Sequence, residues 1–321
     1  MRLSIWVVLL IVGCAERPAP TTPPQTALRL TEHPDRLTVT AGGRPVLTYH
    51  LTEAGADTLP DYYRRSGFID SVYSPAGQLV TDGFPVDYTH QHGIFTAWTN
   101  TTFRGQPLDF WNQHRELGTV RHQELLEVIR TDTVVGFRAR LQQISLTEGP
   151  VLDEFWHVRV RRQPTGGAYV WDLRSEQLNI TNDTLYLNRH LYGGLGVRGA
   201  AVWNHADSLH FRGPARFATD ASLTRNLPDT ALNHTRPPWV ALYGALADGD
   251  TAGIAVLPHP DNFRAPQFVR VHPTMPYLSV TPVVEQGFAL APGQRYLSRY
   301  RFVVFDGPPR PEVVEGRGVG W

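Results

Sequence analysis

From Leu28 onward, apolar and polar residues alternate with a period of two, the signature of strands with one buried face. Arg36-Leu-Thr-Val-Thr40 alternates, Ala41-Gly-Gly43 supplies a turn, and Pro45 to Leu51 alternates again, which predicts a hairpin. The same shape recurs at 124–129 and 134–144 about Thr131-Asp132-Thr133. It recurs at 154–161 and 169–180 about Pro164-Thr-Gly-Gly167, and at 239–247 and 253–257 about Asp248-Gly-Asp250. Phe288 to Gln294 leads into a last long strand over 295–305. No helical period runs beyond two turns, and turn signals recur every roughly 8–14 residues. The expected fold class is therefore all-β. A single large antiparallel β-sandwich with few short helices spans 28–307, followed by a C-terminal tail at 308–321.

The first 27 residues read differently. Met1-Arg2 is a short positive region, and Ile5 to Val12 is apolar but too short to span a bilayer. Ile11-Val12-Gly13-Cys14 resembles a bacterial lipobox, which implies a lipoprotein signal peptide at 1–13 and diacylation of Cys14. The alternative is an ordinary signal peptide with an incidental cysteine. Residues 14–27 carry Pro18, Pro20, Pro23 and Pro24 and read as a semi-extended tether. The expected location is the cell envelope, periplasmic or outer-membrane surface, with membrane contact only through the lipid on Cys14. Cys14 is the only cysteine, so intramolecular disulfides and cysteine-rich zinc sites are excluded.

Composition narrows the chemistry further. Basic and acidic residues balance at 30 each, so no net field favours nucleic acid as a partner. All 30 basic residues are arginine; without lysine there is no side-chain amine for a Schiff base or a phosphate clamp. No G-x-S-x-G nucleophile motif occurs.

The least ordinary stretch runs from Tyr73 to His114. Within it His90 and His92 are two apart, so on an extended segment both imidazoles share a face. Such a pair can bind a divalent metal, transfer a proton, grip a polar ligand, or be satisfied structurally. Asp87 precedes the pair as a carboxylate to assist acid/base work. Phe95, Trp98, Phe103, Phe110 and Trp111 cluster beside it, and Asp109 lies among them. Aromatic platforms next to His, Asp and Arg complement the apolar faces and polar rims of sugars. Two later segments are polar where a sandwich core would be apolar: Asn188 to Arg198, with Gly193, Gly194 and Gly196, and His259-Pro-Asp-Asn262-Phe-Arg264. Carboxylates that could pair for glycoside chemistry are Asp87, Asp109, Asp153, Glu154 and Glu285, with no means of choosing two.

Together, Tyr73-Ser-Pro-Ala-Gly77, Phe84-Pro85, Asp87 with His90-Gln-His92-Gly-Ile-Phe95, Trp98 and Asp109-Phe-Trp111 resemble the bacterial family labelled "methane oxygenase PmoA". Tyr192-Gly-Gly-Leu-Gly196 with Arg198, His259-Pro260 with Asn262 and Arg264, and Tyr300 to Gly307 extend the resemblance over about 65–307. That family often has a histidine where Tyr88 stands, so a three-histidine cluster is incomplete here. The closing Leu290-Ala-Pro-Gly-Gln294 and the β-rich pattern are similar to galactose-mutarotase-like supersandwiches, a likeness of fold.

The expected function is action on, or binding of, a carbohydrate or polyol. His90, His92 and Asp87 would serve catalysis; Trp98, Asp109, Trp111, Arg198, His259, Asn262 and Arg264 would hold substrate on one shared site. The alternatives are a non-catalytic glycan-binding lipoprotein and a metal-dependent, oxygenase-type enzyme with His90 and His92 as ligands. The leading reading requires no cofactor.

Overall fold

The computed structural model describes residues 27–161, 167–204, 215–225, 228–247 and 249–317. The signal-like string, Cys14 and nearly all of the tether lie outside the described residues, as do most of the 164–167 turn and Asp248.

The alternating segments pair as antiparallel hairpins. Arg36–Ala41 pairs with Arg44–His50, Gly118–Arg130 with Val134–Ser145, Gly149–Arg161 with Ala168–Asn179 and Val240–Ala245 with Thr251–Pro258. Arg295–Asp306 is the last long strand. Gly118–Arg130 starts well before the alternation at Glu124, because register shifts at His122/Glu124 and Leu125/Glu127 interrupt the period of two. Helix is confined to short pieces, chiefly Asp220–Arg225 and Pro311–Glu315. Among the described residues no helix is long and apolar enough to cross a membrane.

These hairpins assemble into two eight-stranded sheets and one of four strands. The first sheet runs, in spatial order, Leu28–Glu32, Arg36–Ala41, Arg44–His50, Ile69–Asp70, Ile94–Ala97, Gly194–Arg198, Tyr277–Thr281, Phe268–Val271. The second runs Ala215–Ala218, Val240–Ala245, Thr251–Pro258, Arg295–Asp306, Ala168–Asn179, Gly149–Arg161, Val134–Ser145, Gly118–Arg130. The four-stranded sheet, Phe288–Leu290, Leu185–Leu187, Thr101–Phe103 and Gln106–Leu108, is built of three-residue strands too short to show a period.

The main core draws Leu37, Phe68, Ile94, Val197 and Leu278 from the first-sheet side and Phe137, Trp156, Trp171 and Phe302 from the second. On Arg295–Asp306, Phe302 and Val304 join this core while Val303 and Phe305 join a smaller cluster with Trp239 and Val314. Successive residues point to opposite faces, so the helix Pro311–Glu315 covers the far side of the second sheet. The segment expected as a tail thus contributes a fully buried Val314.

Candidate functional site over the first sheet

Three central strands of the first sheet, Ile94–Ala97, Gly194–Arg198 and Tyr277–Thr281, are buried at every position. Both of their faces are therefore covered. One face meets the second sheet, where Thr96 donates its hydroxyl hydrogen to Glu154 at 2.7 Å. The other carries Phe95, Gly196, Arg198, Tyr277 and Ser279, with Arg270 on the neighbouring edge strand. Register places Gly196 between Phe95 and Ser279, Arg198 opposite Tyr277, and Arg270 opposite Ser279, so these side chains share that face.

Its floor is aromatic. A Cβ on Gly196 would lie 2.7 Å from ring atoms of both Phe95 and Trp111, so glycine is what lets the rings lie against the sheet. The segment Asn188 to Arg198, singled out as polar where a core would be apolar, contains this central strand. Trp111 packs on Phe95, Tyr192 and Tyr277 with ring centroids 4.5, 5.3 and 6.0 Å apart. Around the floor stands a rim of phenols and imidazoles. Tyr88 lies 5.9 Å from His90 and 6.3 Å from His272, and His90 lies 5.1 Å from His114. His272 is 6.2 Å from Tyr277, and His190 is 4.6 Å from Tyr192.

Two arginines sit on this face without a carboxylate in contact. Arg198 donates from Nη1 to Gln91 Oε1 at 2.8 Å and toward Met275 Sδ at 3.2 Å, and from Nη2 to Asn204 Oδ1 at 2.5 Å. Burial lowers its pKa to about 10, against the pull of Asp82 and Asp87. Arg270 is half-buried and, among the described residues, makes no hydrogen bond or ion pair. Burial lowers its pKa too, and Tyr277 and Tyr192 are its opposing influences.

Of the residues singled out in the sequence, His90, Trp111 and Arg198 belong to this site. His90 is buried, and its ring makes no hydrogen bond to any described residue. Burial, then the charges of His114 and Arg198, pull its pKa to about 4 against Asp109, so it is neutral near pH 7. Asp87 is exposed at the rim, within electrostatic reach of Arg198. Asp109 is close enough to influence His90 and His190, but its oxygens are occupied. They accept from the backbone N–H groups of Trp111 and Asn112, from Thr99 Oγ1 and from Asn112 Nδ2 at 2.8–3.0 Å, with Arg115 at 3.4 Å. Asp109 holds the turn that presents Trp111.

His92 does not share a face with His90. The segment is a turn rather than a strand, since Gly93 has φ +48 and packs where a Cβ would sit 2.4 Å from the Ile69 carbonyl oxygen. The turn sends His92 between Phe68, Phe84 and Phe95, fully buried. Its Nδ1 lies 3.1 Å from the Gly83 carbonyl oxygen and its Nε2 lies 2.6 Å from Gln113 Oε1. A neutral imidazole carries one N–H, so it donates to one of these two acceptors at a time. With both nitrogens engaged and its pKa driven well below 6.5 by burial, His92 is a packing residue.

Four further candidates lie elsewhere. Trp98 points between the sheets and donates from Nε1 to Gln177 at 2.6 Å. Asn262 clamps the Arg299 backbone from both ends of its amide at 2.8 Å. Arg264 donates to the carbonyls of Pro282, Gln286 and Gly287. His259 lines two other cavities, one of about 460 Å³ among Pro237, Pro258 and Pro266, and one of about 310 Å³ among Arg159, Arg174 and Arg299. Among the described residues no hydrogen bond or ring contact joins His90 to the 259–264 segment, whose Asn262 and Arg264 bind neighbouring backbone. Among the described residues no three His, Cys, Asp or Glu side chains gather closely enough to hold a metal.

Sequence reasoning missed Arg270, His272, Tyr277 and Ser279, and gave no role to His190 and Tyr192 within the segment it singled out. Phe268-Val-Arg-Val271 alternates like any strand with a solvated face, so Arg270 carries no signal of its own.

Residues 36–317 match the model of DUF6807, described as a family of unknown function. No curated protein matches the chain. Among solved structures the chain is similar to heparan sulfate lyase HepC from Pedobacter heparinus, with TM-score 0.38 and 8% identity, over 89% of this chain and 36% of the lyase. The chain thus spans about a third of that enzyme's length. It is also similar to the Slr1438 protein from Synechocystis sp. PCC 6803, with TM-score 0.38, 12% identity, and coverage of 91% and 100%. A galactose mutarotase related enzyme from Lactobacillus acidophilus gives TM-score 0.35, 12% identity, and coverage of 89% and 99%.

Proposed function

The chain belongs to the DUF6807 family, whose function is unknown, and on the strength of its own site we propose that it binds and acts on a carbohydrate or related polyol. One observation carries the reading. An aromatic floor, a rim of phenols and imidazoles, and two arginines without contacting carboxylates meet on one covered sheet face. Sugars present apolar C–H surfaces that lie on such rings and hydroxyl rims that such donors and acceptors satisfy. In the catalytic form His90 is the proton-transfer group, its neutral ring having a free lone pair and a free N–H, while Asp87 and Arg198 set the local charge. The PmoA-like motifs support a wider kinship, since Trp111, Arg198 and Gly196 among them line this face.

A non-catalytic glycan-binding role has one observation in its favour. A pKa of about 4 suits an imidazole that hydrogen-bonds a ligand better than one that exchanges protons at neutral pH. A sugar panel assayed for both binding and product separates the two. If His90 transfers the proton, His90→Ala lowers turnover by about 10²–10⁴-fold while the melting temperature moves by only a few degrees. Unchanged binding and turnover with a sharp fall in melting temperature would show that His90 only packs.

We also propose that the protein is lipid-anchored in the cell envelope, on the strength of Ile11-Val12-Gly13-Cys14. One acyl chain anchors only marginally, so stable attachment rests on the diacylglyceryl group on Cys14. Cys14→Ser is expected to move the protein from the membrane pellet to the soluble fraction. A variant that still pellets removes the basis for the anchor.

A further inference from the structure

Deepening the carbohydrate reading, and resting on it, we infer that the ligand is a sugar acid whose carboxylate pairs with Arg270. The starting observation is a set of buried polar atoms with no hydrogen-bond partner among the described residues: Arg270 Nε, Tyr277 Oη, Ser279 Oγ and Arg198 Nε. Nearly all buried polar groups in folded proteins are satisfied, so an orphan calls for a cause, and four on one covered face call for a shared one. They stand in adjacent register positions on three neighbouring strands. Ser279 lies near enough to Tyr277 to ease the upward shift that burial imposes on the phenol, but short of hydrogen-bond geometry.

The charge of the ligand follows from comparing the two arginines. Arg198 has both terminal nitrogens committed and two aspartates in electrostatic reach, so its charge is answered from within the protein. Arg270 has every donor uncommitted and only two neutral tyrosines among the groups that favour its charge. A half-buried guanidinium without a counter-ion costs free energy, and a planar carboxylate matches its fork with two parallel N–H···O bonds. On the neighbouring strand, Ser279 opposite Arg270 and Tyr277 two residues before it carry the orphaned hydroxyls, which suit hydroxyl groups. A simple carboxylate would leave them, and the aromatic floor, unused. A neutral sugar would leave Arg270 unanswered.

Calorimetric titration of the full chain with D-glucuronate, D-galacturonate, D-glucose, D-galactose and acetate tests this directly. At least one uronate is expected to bind about tenfold or more tightly than its neutral counterpart, and acetate to bind weakly. Arg270→Gln is expected to weaken uronate binding far more than neutral-sugar binding, so that the uronate advantage is lost, and Arg270→Lys to restore part of it. A shallow advantage at high salt accompanies this, since Arg270 is only half-buried. Equal binding of uronates and neutral sugars, or an advantage that survives in Arg270→Gln, overturns the sugar-acid inference and leaves the carbohydrate reading standing. Tight acetate binding shows an anion site without sugar recognition. No binding of any sugar overturns both. Melting curves of the two variants establish that they are folded.

Discussion

Replacing Glu154 with alanine is expected to cost about 3–5 kcal/mol of stability, because it strands a buried cation and opens a cross-sheet junction. Glu154 is fully buried between the two large sheets. Its Oε1 accepts from Thr96 Oγ1 of the first sheet at 2.7 Å, and from Trp156 Nε1 at 2.8 Å and Ser175 Oγ at 2.6 Å in the second. Its Oε2 accepts from Gln143 Nε2 at 3.0 Å. The charge matters as much as the bonds. Arg65 is also fully buried, with Nη2 donating to the Thr96 carbonyl at 2.8 Å and Nε and Nη1 unpartnered. Burial lowers the Arg65 pKa to about 9, and Glu154 is the first influence that opposes it. Glu154→Gln keeps the shape and part of the bonding, so its loss falls between those of wild type and Glu154→Ala. Urea unfolding at pH 7.5 measures all three. We propose that 28–307 unfolds in one transition, since the main core draws on both large sheets. A loss below about 1 kcal/mol for Glu154→Ala would mean that the junction does not hold the sheets together.

Acid is expected to unfold the protein at about pH 4–5, with buried neutral histidines as a leading cause. Burial, the leading cause in each case, pulls His50, His90 and His122 to about 4 and His92 well below 6.5. All four are therefore neutral in the fold at pH 7. A histidine whose folded pKa lies below its unfolded value takes up its proton in the unfolded chain first. Its stabilising contribution is intact above pH 6.5 and is lost as the pH falls toward the folded value. Each such group loses up to about 1.4 kcal/mol for every pH unit below 6.5, so His50 and His90 together lose roughly 4 kcal/mol by pH 5, with His92 and the more exposed His122 acting in the same sense. Asp70 and Asp82 act in the opposite sense, since burial raises their pKa values above 3.8. Against a total stability of about 5–15 kcal/mol, the acid midpoint is expected at about pH 4–5. Tryptophan fluorescence across pH 8 to 3 reads it. His50→Gln and His122→Gln should each flatten the slope; a midpoint below pH 3.5 would show that these imidazoles are protonated inside the fold.

The hairpins were legible because their cause is local. Alternation at 36–40 and 45–51, and a glycine pair between them, state which residues face inward and where the chain reverses, whatever the rest of the molecule does. The short strands of the four-stranded sheet were not legible, since three residues cannot display a period. The site divides in the same way. His90, Trp111 and Arg198 stood out by type and company, and they line the covered face. His259, Asn262 and Arg264 stood out for the same reasons, yet their polar groups bind their own loops, because the residues that make ligand contacts are also those that make turns. Arg270, Tyr277 and Ser279 passed as ordinary strand residues. Alternation specifies that such side chains share a face; it does not specify whether water, a second sheet or four converging loops lies over it. That cover is contributed by segments as far apart in sequence as Tyr88 and His272. Their meeting depends on the packing of whole sheets, a sum of non-local contacts that no window of the chain contains.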